Sequence, residues 1–140
     1  MNTIYNTNIH HHMRALRFEN ILTSKGWIYL GAGKDRRVWK RGNVVIKIAF
    51  AESGITANRY ERKIYRQSIG KKQEVKYAHC RLVSQYVLMM RAVKELDYIK
   101  DEALIPKWAY QLNDGPQVGM DRYGVVMVFD YADEVRSWNK

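Results

Sequence analysis

A small set of residues carries the chemistry this sequence could perform. Gly31 and Gly33 flank Ala32 at the end of an aromatic and β-branched run, residues 27–30. Glycines in such a place let backbone N–H groups approach a phosphate with no Cβ in the way. Lys47 sits inside Val44, Val45, Ile46, Ile48, Ala49 and Phe50, and a charge in so apolar a run is expected to serve a purpose there. Glu61 follows 14 residues later, in a stretch whose period has changed to that of a helix. A strand lysine facing a helix glutamate would form an ion pair.

Two phosphate-binding signatures are excluded by spacing. Gly26 and Gly31 have the glycine separation of a Walker A loop but enclose an apolar strand, and Asp35 replaces the hydroxyl residue expected after Lys34. A dinucleotide fingerprint needs glycine at position 36 and a helix afterwards, whereas Arg36 leads into strand-like residues. The three consecutive histidines, His10, His11 and His12, diverge too much to close one metal site and are expected in a mobile tail. Cys80 has no second cysteine to pair with, and with His79 it lacks the cluster a zinc site requires.

The elements that must position these residues follow from pattern. Residues 27–30 and 37–40 predict a hairpin with Gly31 and Gly33 at its tip. Gly42-Asn43 marks a second turn before the strand 44–50. A helix is expected over 55–67, where Ala57, Tyr60, Glu61 and Ile64 recur at spacings of three and four. Two strands follow at 80–83 and 86–93, then a short helix interrupted at Pro106 within 97–110, a polar loop over 111–119 and a strand at 125–129. This gives an α+β fold: a five-stranded antiparallel sheet with one helix, then a truncated helical and hairpin segment. Residues 1–26 read as an N-terminal extension and 27–140 as a single compact domain, split into 27–96 and 97–140.

In that order the elements resemble the N-lobe of the protein kinase-like fold, and small degenerate kinase-like proteins encoded by bacteriophages look similar. Gly31, Gly33, Arg36 and Val38 stand against Gly-x-Gly-x-x-Gly-x-Val, and Val45-Ile46-Lys47 against Val-Ala-Ile-Lys. The resemblance implies that Gly31, Gly33, Lys47, Glu61 and Met89 bind a nucleotide, with Met89 and Met90 lining the adenine pocket and the Lys47–Glu61 pair positioning phosphates. Phe129-Asp130-Tyr131 resembles a degenerate Asp-Phe-Gly element, which makes Asp130 the candidate metal ligand, and ATP with Mg²⁺ the implied cofactors. The catalytic-loop base would fall on Gln111 and the metal-binding asparagine near Gln117. Glutamine cannot accept a proton as a carboxylate does, and Asp114 would replace the base only in a shifted register. The chain also stops about ten residues after Asp130, so a full substrate platform is not expected.

Composition sets the partner class. Lys plus Arg number 24 against 14 Asp plus Glu, a net charge of +10, which favours an anionic partner, an acidic protein or a nucleic acid. The candidate surface is Arg59, Arg62, Lys63, Arg66, Lys71 and Lys72. No apolar run approaches the length of a membrane span, residues 1–13 lack the apolar stretch of a secretory signal, and a single cysteine excludes an internal disulfide, so a cytoplasmic protein is expected, in the host if phage-encoded. The sequence therefore points to a degenerate kinase-like protein that binds and modulates a macromolecular partner, such as a phage inhibitor of a host factor. A minimal serine/threonine phosphotransferase using Lys47, Glu61, Asp114 and Asp130, and a basic nucleic-acid-binding module, are the other two readings.

Overall fold

A computed structural model of the chain describes residues 3–71, 75–112 and 117–131. Its elements run α1 (Thr3–Ser24), β1 (Ile28–Ala32), β2 (Arg36–Arg41), β3 (Val44–Ala49), α2 (Glu52–Ser68), β4 (Cys80–Ser84), β5 (Val87–Arg91), β6 (Lys94–Glu95), α3 (Lys107–Gln111), β7 (Gln117–Met120) and β8 (Val126–Asp130), with a 3₁₀ turn at Glu102–Leu104. Five strands form one antiparallel sheet in the order β1-β2-β3-β5-β4, and β6-β7-β8 form a second. The α+β class, the five-stranded sheet and the helix after its third strand are those expected from the sequence.

Register sorts the side chains of the central strands between two faces. Lys47 pairs with Val38 and Leu88, whereas Ile46 pairs with Trp39 and Met89, and directly opposed residues share a face. On the Ile46 side, Ala15 and Leu22 of α1 join Trp39, Ile48 and Val87 in one core. On the Lys47 side, Leu88 and Met90 join Ala78, Cys80, Val118, Val128 and Tyr131 in a second core shared with the small sheet. Backbone bonds from Ala78 N–H to Val128 O and from Val128 N–H to Lys76 O, both 2.8 Å, fasten the two sheets. Gly54 sits where α2 crosses the end of β3, and a Cβ there would lie 2.3 Å from the Asp35 carbonyl oxygen.

Three expectations need correction. The histidine-rich segment is the helix α1, packed on the sheet, and not a mobile tail. It ends in a Schellman motif: Gly26 has φ +83°, and Trp27 N–H reaches Leu22 O at 3.0 Å. Its helical period is masked in sequence because Ile9, Met13 and Leu16 make the solvent side apolar too. The end of the expected polar loop, Gln117–Met120, is the central strand of the small sheet, where Gly119 packs against Val93 too closely for any side chain. Tyr86 and the residues after Arg91 fall outside β5.

Candidate functional site

The site is built around one buried carboxylate. Strand β3 is hydrogen-bonded on both sides, so Lys47 has neighbours on every flank and only 5% of its surface is exposed. It donates from Nζ to Glu61 Oε1 at 3.0 Å, to Glu61 Oε2 at 3.1 Å and to the Phe129 carbonyl at 2.9 Å. Glu61, on the inward side of α2, is fully buried. It also accepts from Arg36 Nη1 and, at 2.9 Å, from the Tyr131 backbone N–H. Arg36 Nη1 reaches Asn58 Oδ1 at 3.1 Å, and Asn58 in turn donates to the Gln85 carbonyl at 3.2 Å. Asp130, at the end of β8, lies 3.6 Å from Arg36 Nη2 and 4.0 Å from Lys47 Nζ.

The electrostatics follow from that arrangement. Burial alone would raise the Glu61 carboxyl, but Lys47, Arg36 and the hydrogen bonds from Arg36 and Tyr131 more than offset it and hold the group at about 2. Burial disfavours the charge on Arg36, and Glu61, Asp130 and Asp35 outweigh that, keeping the guanidinium above its ordinary value. Lys47 and Arg36 thus face Glu61 and Asp130, two cations against two anions.

Sequence-predicted residues divide into those the fold brings together and those it does not. Lys47, Glu61 and Asp130 meet. Gly33 lies near them, with its N–H donating to Arg36 O at 2.9 Å to close the hairpin turn, while Gly31 sits within β1 at a bulge with φ +149°. Met89 does not line this space: it pairs with Ile46 on the opposite face, and Met90 is the methionine that shares a face with Lys47. Asp114 and Lys72 lie outside the described residues. Gln111 closes α3 and Gln117 opens β7. Arg59, Arg62, Lys63, Arg66 and Lys71 are all exposed, and the first four line a groove of about 340 Å³ with Gln67 and Leu82.

Arg36, Asn58 and Tyr131 are the members that sequence reasoning missed. Arg36 stood out there only as a departure from glycine. Period two from Val38 carried the missing signal, because Val38 opposes Lys47 and Arg36 is two residues away on the same face. Cys80 is buried against the Tyr131 hydroxyl at 3.1 Å, and burial pushes its thiol up to about 11. Among the described residues, no three His, Cys, Asp or Glu side chains cluster as a metal site.

The cavity beneath the hairpin turn, lined by Gly33, Lys34, Arg36, Val38, Lys47 and Asp130 among others, measures about 140 Å³. Pockets that enclose a ligand of nucleotide size are about 300 Å³ or more. With Arg36 bonded across it and Gly33 N–H already used, the cleft in this conformation does not fit ATP, and the described carboxylates do not make a divalent-cation site.

No protein-family model and no curated protein matches the chain. Among solved structures, the chain is similar to APH(2″)-IIa in its streptomycin–ATP ternary complex, with TM-score 0.49 and 17% identity over 70% of this chain and 35% of that one. It has the same similarity to the gentamicin complex of APH(2″)-IIa, over 34% of that chain. The ADP-bound aminoglycoside phosphotransferase APH(2″)-Ib gives TM-score 0.48 and 16% identity over 68% of this chain. This chain spans about a third of the length of each of these proteins.

Proposed function

We propose that this chain is a degenerate kinase-like module that works by binding a macromolecular partner and not by phosphoryl transfer. The observation that carries the reading is Arg36. It stands at the glycine position of the hairpin and turns into the space where phosphates would lie. There it takes Glu61, Asn58 and Asp130 as partners, so the lysine–glutamate pair becomes part of an internally satisfied clasp. A phosphate entering this cleft would have to displace two carboxylates from two cations in a buried setting, where ion pairs are costly to break. A phage-encoded inhibitor of a host factor is the finer form of this reading, and the resemblance to phage proteins is its support.

Thermal denaturation with and without Mg²⁺-ATP tests it, because a ligand selective for the folded state raises Tm by mass action. The wild-type chain is expected to show no shift at millimolar nucleotide. A saturable increase would overturn the reading and favour the phosphotransferase, whose specific support is the approach of Asp130 to Lys47 at the end of β8. In that case labelled ATP would give autophosphorylation that Lys47→Met and Asp130→Asn abolish.

A further inference from the structure

We propose that the groove between α2 and β4 docks an acidic segment of another protein carrying an aliphatic residue between its carboxylates. The inference rests on the reading of the chain as a binding module and names the chemistry of the partner. Arg59, Arg62, Lys63 and Arg66 recur at spacings of three and four, so they form one row, about 10 Å long at 1.5 Å per residue. Like charges so spaced on one helix face repel.

Nothing in the described chain relieves that repulsion. Arg62, Lys63 and Arg66 make no ion pair with a described acidic residue, and Arg59 contacts only the neutral Gln85 Oε1, at 3.3 Å. The central acid of the helix, Glu61, points the other way and is fully engaged by Lys47 and Arg36. The row has no anionic partner among the described residues and is complementary to anions.

The floor and walls of the groove select the kind of anion. Leu82, half-buried on β4, forms an aliphatic base to a space of about 340 Å³, room for a few side chains. A carboxylate-rich segment with a leucine-like residue satisfies rim and floor together. Single-stranded nucleic acid is bound through stacking of its bases on aromatic rings, and among the described residues no aromatic side chain lines this groove. The nearby Tyr65 ring is already stacked on His79, with centroids 4.9 Å apart.

Fluorescence anisotropy with a labelled peptide of repeated Glu-Glu-Leu units tests the proposal, run beside a Glu-Glu-Ser peptide and a single-stranded DNA of the same charge. The Glu-Glu-Leu peptide is expected to bind at least about fivefold more tightly than either competitor at low salt and to weaken steeply toward about 0.3 M salt. Arg62→Glu with Arg66→Glu should cost at least about tenfold in affinity. Lys100→Glu with Lys107→Glu, an equal charge change at exposed positions elsewhere, should leave binding within about twofold. If the first double variant does not give a native circular dichroism spectrum, Arg62→Gln with Arg66→Gln replaces it, with a smaller loss in the same direction. Equal loss in both charge variants, equal binding of the serine peptide, tighter binding of DNA, or no peptide binding at low salt would each overturn the proposal. A negative result here, with no Mg²⁺-ATP shift, would leave the binding-module reading standing and move the docking surface elsewhere.

Discussion

At the residue scale, Glu61 is the group on which the site depends. Its carboxyl is held at about 2 against an ordinary 4.5, so it stabilises the fold wherever it is ionised. A depressed folded value means that this contribution is complete above the unfolded value and disappears as pH falls from about 4.5 to about 2; the shift corresponds to about 3 kcal/mol. Urea denaturation of the wild type should therefore show a falling acid limb across that window, which Glu61→Gln should flatten. The same substitution leaves Lys47 and Arg36 buried with only the partly exposed Asp130 as counter-charge and should cost about 3–5 kcal/mol at neutral pH. Lys47→Met should cost less, since Glu61 retains Arg36 and the Tyr131 N–H. Cys80 gives an independent check on burial. With its thiol near 11 and enclosed beside Tyr131, iodoacetamide at pH 8 should modify it slowly in native protein and rapidly in urea.

At the scale of elements, α1 and α2 contribute in different ways. Helix α1 is a structural cover for the sheet: Glu19 accepts from Arg37 Nε at 2.7 Å and from Trp39 Nε1 at 2.6 Å, while Leu22 enters the core. Leu22→Ala should destabilise the protein by about 2–4 kcal/mol, whereas Met13→Ser on the outer side should stay within about 0.5 kcal/mol, as denaturant midpoints would show. Helix α2 is held at one end by close approach. Gly54→Ala would gain about 1 kcal/mol of helix propensity, yet its Cβ would meet the Asp35 carbonyl and the Ala49 side chain at 2.3 and 2.7 Å. A net loss of about 1–3 kcal/mol is expected, because backbone must move to make room. A stabilised Gly54→Ala variant would show that this contact is not what fixes the helix.

At the scale of the whole molecule, the Lys47–Glu61–Tyr131 connections join the large sheet to the small one. Lys47 from β3 holds the Phe129 carbonyl, and Glu61 from α2 holds the Tyr131 amide, so β8 cannot leave without exposing buried charge. The amides of Ala78, Leu88 and Val128 should accordingly exchange hydrogen through one common opening in the wild type. In Glu61→Gln, Val128 should exchange ahead of Leu88, which mass-spectrometric hydrogen exchange can resolve. Among the described residues, no helix is long and apolar enough to cross a membrane.

Legible in the sequence are the succession of strands through β5, the α2 helix, the Lys47–Glu61 pairing and the basic residues exposed on α2. These are written in local signals, such as alternation around Lys47, a helical period through Glu61 and glycine at turns, which act over a few residues. Not legible there are that Arg36 joins the same carboxylate, that Met90 and not Met89 shares the face of Lys47, and that α1 covers the sheet. Each of those depends on register or on packing between distant segments. One residue of register reverses every side chain in a strand, and a helix apolar on two sides does not announce which side will be buried. The consequence is specific: local signals locate Lys47 and Glu61 on facing elements, whereas the register of β2 against β3 brings Arg36 to the same buried carboxylate.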